Sequence, residues 1–293
     1  MTTQLPPAPG LTAWYQQGRL EQHGAHRLFL ADAGAGPAVL CLHGFPTASW
    51  DWSRLWAGLV CEHRALAPDM LGFGFSDKPR GHPYRVMEQA DLIESVVAQR
   101  LIRRVHLLCH DLGDTVGQEL MARQQDGVLS FEVRSVCYLN GGLIPGAHRP
   151  RMIQRLLAGP AGPVLALAMS RRRFKRSFSA VFGPETGPDD AELDRFWRLL
   201  THNGGRRVQH RLIAYMAERL EHESRWLAAL KQTRVPQCLI NGLEDPVSGR
   251  HALEAYEQLV PAARTHALPG IGHYPQFEAP AQVLAAWRSF RPD

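Results

Sequence analysis

The sequence predicts an α/β fold: a mostly parallel β-sheet covered on both faces by helices, with an all-helical segment inserted late in the chain. Two observations carry this. Short runs rich in Val, Leu, Ile and Cys alternate with longer stretches of helical period, and that alternation lapses between about residues 143 and 231 before resuming. Composition agrees, because 45% hydrophobic and 21% charged residues over 293 positions suit a folded core rather than a disordered or membrane-embedded chain.

The strand candidates in order are RLFLA at 27–31, AVLCL at 38–42, HRALAP at 63–68, VHLLC at 105–109, VRSVCYL at 133–139, VPQCLI at 235–240 and RTHAL at 264–268. Helical periods fall at 86–101, 113–125, 251–260 and 279–290. Between 143 and 231 the clusters GLIPGAHRP, AGPAGP and FGPETGP punctuate basic helical segments with no convincing strand. The expected organisation is therefore a core domain built from 1–142 and 232–293, roofed by a helical cap at 143–231. Insertions into open α/β sheets sit where ligands bind, at the carboxyl ends of the strands. The proline-rich first ten residues predict a mobile tail.

Five cysteines are present, four of them in apolar runs where cysteine acts as a small hydrophobe, and their spacing matches neither a disulfide framework nor a zinc site. The start MTTQLPPAPG lacks a basic segment followed by an apolar one, and the longest apolar run, at 156–169, is too short to cross a bilayer. A cytoplasmic protein is expected, with no integral membrane association. The net charge of +5 is uneven: residues 143–231 carry 16 Lys/Arg against 8 Asp/Glu, leaving 17 against 20 elsewhere. The run Arg171-Arg172-Arg173-Phe174-Lys175-Arg176 reads as a solvated helix face rather than a nucleic-acid site, and a role at lipid surfaces would rest on this basic segment alone.

The chemistry is concentrated at strand ends. In Val105-His106-Leu107-Leu108-Cys109-His110-Asp111-Leu112-Gly113-Asp114 an apolar strand runs straight into a helix, the form of a nucleophile elbow. The motif needs small residues two before and two after the nucleophile; Cys109 and Gly113 stand there, with Asp111 at the centre. Upstream, Leu42-His43-Gly44-Phe45-Pro46-Thr47 follows a buried strand, where an oxyanion hole needs a free backbone N–H. Phe45 and Leu112 are the two expected donors, and His43 is assigned with Tyr215 to substrate binding. Downstream, Asn241-Gly242-Leu243-Glu244-Asp245 ends one strand with an acid, and Pro269-Gly270-Ile271-Gly272-His273 follows the next with a histidine.

The order nucleophile, acid, histidine at successive strand ends resembles the α/β-hydrolase fold. The Asp within HD-x-G resembles the epoxide hydrolase and haloalkane dehalogenase branch, which DMLGFGFSDKP at 69–79 and HGFPT also match. HDLGDTVGQEL, LNGGLIPGAHRP, VFGP and GHYPQFEAP look like the mesoderm-specific transcript subgroup, and the resemblance covers roughly residues 25–290.

A carboxylate attacking a saturated carbon forms an ordinary ester that water can split, so Asp111 points to epoxides or alkyl halides, with a small apolar electrophile as partner. His273, held by Asp245, would then activate water, and the Phe45 and Leu112 amides would hold the oxyanion. This chemistry requires no metal or organic cofactor. The leaving group separates the substrates. Many haloalkane dehalogenases place a tryptophan donor after the nucleophile, where this chain has Leu112; epoxide hydrolases usually supply two cap tyrosines, and the insertion holds only Tyr215. An epoxide hydrolase is the leading expectation, a haloalkane or haloacid dehalogenase the alternative, and a small-molecule receptor or scaffold on the same fold the non-enzymatic one.

His202, Asn203 and Trp197 are candidates for the missing donor, while Trp197 and Trp226 read more readily as cap core. Trp50 and Trp52 are expected to brace the oxyanion loop. His110 precedes the nucleophile but should point elsewhere. Asp114 fits a helix-dipole role or a pair with a cap arginine. Asn140 stands where some dehalogenases carry their acid; an amide cannot serve, which favours Asp245. A homodimer is an open option for assembly.

Overall fold

The computed structural model describes residues 9–290. Its eight strands are β1 (Gly18–His23), β2 (His26–Ala33), β3 (Ala38–Leu42), β4 (Arg64–Pro68), β5 (Arg104–His110), β6 (Glu132–Leu139), β7 (Gln237–Gly242) and β8 (Arg264–Leu268). They form one sheet in the order β1-β2-β4-β3-β5-β6-β7-β8. β2 runs antiparallel to β1 and β4, and every other pairing is parallel.

The seven expected strands are present within two residues at most boundaries. β1 was not anticipated, and its sequence GRLEQH explains why: Leu20 is its one aliphatic residue, and its backbone groups are satisfied by the hairpin with β2 rather than by any apolar pattern of its own.

Central strands are buried on both faces. All five residues of β3 are buried, with Leu40 and Leu42 entering the core on one side and Val39 and Cys41 the other. Each such aliphatic side chain is worth roughly 1.5–3 kcal/mol of transfer free energy. The helices Val86–Ala98, Leu112–Gln125, Arg250–Leu259 and Pro280–Phe290 stand where the periodicity placed them.

Between β6 and β7 the described residues are helical or loop. The last helix there, Glu223–Gln232, packs on Leu112–Gln125, with Trp226 Nε1 donating to Glu119 Oε2 at 2.9 Å and Trp226, Ala229 and Leu230 joining the sheet's core. By packing it covers the sheet rather than the site. Residues 1–8 of the proline-rich start lie outside the described residues; Pro9–Tyr15 is a helix that buries Leu11 and Trp14, the latter edge-on to Trp50 and Trp56.

Candidate active site

The site lies at the carboxyl ends of β3, β5, β7 and β8. Asp111 joins β5 to helix Leu112–Gln125 with φ 47° and ψ −103°, a conformation a non-glycine residue holds at a cost of about 1–3 kcal/mol. Glycine is required two residues later, because a Cβ on Gly113 would fall 2.1 Å from the carbonyl oxygen of Leu42 at the end of β3. This contact presses the elbow against the end of β3. The Phe45 amide donates to Asp111 Oδ2 at 3.0 Å. Leu112 is the first residue of the helix, so its amide has no intrahelical acceptor.

On the facing side, His273 Nδ1 donates to Asp245 Oδ2 at 2.7 Å. Asp245 is held from all directions: Ser248 Oγ donates to Oδ2 at 2.7 Å, the Ser248 amide at 3.0 Å, Asn140 Nδ2 at 3.1 Å, and the Val247 amide donates to Oδ1 at 2.7 Å. Burial opposes ionisation of Asp245, but the charge and hydrogen bond of His273 and the Ser248 hydroxyl outweigh it and lower its pKa to about 2. Burial likewise opposes the charged form of His273, and Asp245 followed by Asp111 raises it to about 9. Asn140 thus orients the acid instead of replacing it. Its own φ is 34°, and its Oδ1 accepts from the Gly242 amide at 2.6 Å.

Asp111 is 3% exposed, and burial alone would push its pKa up. His273 and then Arg219 offset this and hold the carboxyl below its ordinary value. Arg219 is a residue of the site that the strand-end pattern of the sequence does not reveal. From helix Tyr215–Glu221 it reaches down to donate through Nη2 to the Asp111 carbonyl oxygen at 3.0 Å and through Nε to Thr115 Oγ1 at 2.8 Å, and it stands 3.6 Å from Asp111 Oδ1. A usable signal existed: Arg219 is four residues from Tyr215 on one helix face, and its guanidinium lies 4.6 Å from that ring.

The cap arginine therefore contacts Asp111 rather than Asp114. Asp114 is fully buried, accepts a 3.4 Å bond from the Leu139 amide, and is pushed well above the usual carboxylate range by burial and by Asp111. Burial there works against a charge on the helix dipole, the role expected of it.

Tyr215 is 1% exposed, and burial and the neighbouring Asp111 carboxylate push its pKa upward. It packs 6.0 Å from the Phe45 ring. His43 has no atom left for a substrate: it is fully buried, its Nε2 accepts from the Met70 amide at 3.0 Å, and the remaining Nδ1–H donates to the Gly44 carbonyl at 2.9 Å. It braces the loop that carries Phe45, as does Asp51, whose Oδ2 accepts from Thr47 Oγ1 at 2.6 Å and the Gly44 amide at 3.4 Å. His110 Nε2 donates to the His273 carbonyl at 2.8 Å, so it steadies the imidazole's backbone from behind.

A cavity of about 510 Å³ opens from Phe45, Pro46, His273 and Tyr274 outward beneath helices Met152–Ala158, Gly162–Ala168 and Arg171–Ser179. Its wall is mostly apolar, a common character for small-molecule sites. His202, Asn203 and Trp197 are not part of it, and His202 lies edge-on to Phe75 instead; Asp111 and Tyr215 do not line it either, and the cavity reaches the site at Phe45 and His273. The described residues contain no helix long and apolar enough to cross a membrane.

A mostly parallel eight-stranded sheet, a strained turn after β5 and a buried His–Asp pair after β7 and β8 define the α/β-hydrolase class. The chain belongs to the Alpha/beta hydrolase family, whose profile matches residues 39–287. It is 38% identical over 301 residues to the mesoderm-specific transcript protein of Mus musculus, spanning 98% of this chain and 90% of that protein. Haloalkane dehalogenase 2 of Mycobacterium tuberculosis is 26% identical over 295 residues, covering 98% of each chain. The solved structure of the epoxide hydrolase CorEH superposes with a TM-score of 0.75 at 19% identity, over 93% of this chain and 97% of that one.

Proposed function

We propose that this α/β hydrolase cleaves epoxides to diols through an ester on Asp111, with His273 as base and Asp245 as its orienting acid. The observation that carries the reading is a buried carboxylate on the strained elbow, its pKa held down by His273 and Arg219, with an amide at 3.0 Å on one side and a His–Asp pair of 2.7 Å on the other. An Asp111 oxygen attacks an epoxide carbon, the ring C–O bond breaks, and the Tyr215 hydroxyl donates its proton to the leaving oxygen. Esterification removes the Asp111 charge that helped raise His273, which passes its proton through solvent to the tyrosinate; the neutral imidazole then takes a proton from water as that water adds to the Asp111 carboxyl carbon, and the Phe45 and Leu112 amides hold the oxyanion. Expulsion of the diol restores the carboxylate beside the imidazolium.

Arg219 keeps Asp111 ionised and its backbone seated. His43 and Asp51 serve the reaction only by fixing the loop that carries Phe45. Hydrolytic dehalogenation shares the ester step, and the 26% identical dehalogenase supports keeping it as the second reading; Leu112, which offers no side-chain donor to a halide, favours the epoxide.

The test is mass spectrometry of intact protein after incubation with a terminal epoxide or a haloalkane. His273→Gln should retain an adduct on Asp111 with the mass of the whole epoxide, and Asp111→Ala should give none. An adduct from the haloalkane alone transfers the assignment to dehalogenation, and no adduct from either removes the ester mechanism.

A further inference from the structure

Eight large apolar side chains stand exposed among the described residues, and five of them fall between positions 152 and 167: Met152, Ile153, Leu156, Val164 and Leu167. They sit on two consecutive cap helices, Met152–Ala158 and Gly162–Ala168, whose other faces supply Leu157 and Leu165 to the cavity wall. This lip of the cavity is therefore apolar inside and out. A contiguous exposed apolar face of this kind marks an interaction surface.

The opposite lip is helix Arg171–Ser179. Arg171 and Lys175 are paired with Asp194, whereas Arg172, Arg173 and Arg176 form no ion pair among the described residues, and neither does Arg155 on the apolar lip. The cavity wall itself holds Arg151, Arg173 and Arg176 and no carboxylate. Exposed apolar side chains and uncompensated arginines on the helices that border one cavity complement a surface with an apolar interior and an anionic skin. A second copy of this chain fits poorly, since a two-fold contact through this face would bring the same arginines against one another.

We propose that this face of the cap adsorbs onto anionic lipid bilayers, with Met152, Leu156, Val164 and Leu167 in the headgroup–acyl boundary and Arg155 and Arg172 against lipid headgroups, so that the cavity mouth opens onto the lipid. The inference is independent of the ester mechanism, because it concerns adsorption and is read without any reaction.

The test is co-sedimentation of the full chain with phosphatidylcholine vesicles, with and without phosphatidylglycerol, at low and high salt. The protein should pellet with anionic vesicles at low salt, with partitioning that falls about tenfold or more at high salt or without the anionic lipid. Two variants, M152S/L156S/V164S/L167S and R155E/R172E, should each weaken partitioning about tenfold or more while their thermal unfolding stays that of the parent. None of these positions lines the cavity, and an acid at 172 sits favourably in the first turn of its helix. Failure to pellet, equal partitioning onto neutral vesicles, or a vesicle-free dimer in sedimentation velocity that M152S/L156S/V164S/L167S dissolves would each overturn the proposal.

Discussion

Replacing Asp245 with Asn removes a charge while nearly preserving shape, and so isolates what that carboxylate does for His273. The carboxyl is fully buried, and its pKa falls from 3.8 to about 2 with the imidazolium as main stabilising cause. At 1.36 kcal/mol per pKa unit the drop corresponds to about 2.4 kcal/mol in favour of the charged carboxylate, the net of burial against His273, Ser248 and the Val247 amide. On the proposed mechanism that energy is drawn on when His273 takes a proton from water, so ester hydrolysis should slow by roughly 60-fold. Alkylation of Asp111 uses no base and should stay within a few-fold of the parent.

Rapid mixing with an epoxide, acid quench and intact-protein mass spectrometry would follow both steps. Alkyl-enzyme should accumulate in Asp245→Asn and not in the parent. The Asn amide also turns a donor toward the Val247 amide, leaving that N–H unsatisfied at a cost of about 1–3 kcal/mol, so unfolding must be measured first and the kinetics run well below the transition. Equal slowing of both steps, or no slowing of either, would refute the assignment of Asp245 to the base.

The remaining expectations test other parts of the site. His273 is raised from 6.5 to about 9, so its contribution to stability is complete below pH 6.5 and is lost as pH rises through about 9; Asp245, the other end of the same pair, contributes above pH 3.8 and loses this toward about 2. Thermal unfolding of His273→Gln should therefore lack the alkaline decline that the parent shows between about pH 6.5 and 9. Tyr215→Phe should slow alkylation by an epoxide by about 100-fold and leave alkylation by a haloalkane unchanged, measured as single-turnover rates. Gly113→Ala should cost about 1–3 kcal/mol in denaturant unfolding, because its Cβ meets the Leu42 carbonyl oxygen at 2.1 Å. If its stability matches the parent, the elbow is not pressed against β3 as described.

Much of this protein is written in short-range pattern. Val105–Cys109 is apolar and ends in His-Asp-Leu-Gly, and this alone marks a strand, a sharp turn and a helix start, because strand burial and the steric needs of a tight turn act between near neighbours. The same reasoning placed Phe45, Asp245 and His273 at strand ends, and the order of a parallel sheet brings such ends to one side. β1 was illegible because its pairing with β2, not its side chains, makes it a strand.

Tertiary structure decided which side chains meet across long separations. Arg219 lies 108 residues from the Asp111 carbonyl it binds, and only the packing of the cap brings them together. His43, polar and next to the oxyanion loop, suggested a substrate contact, but backbone groups of Gly44 and Met70 occupy both ring nitrogens. Asp114 reads as a charged residue at a helix start, but full burial and the Asp111 charge push its pKa well upward. Sequence encodes which segments fold and where their reactive ends fall, through forces between adjacent residues. Charge state, orientation and partnership depend on desolvation and on neighbours distant in the chain, which exist only once the cap and the sheet have closed on one another.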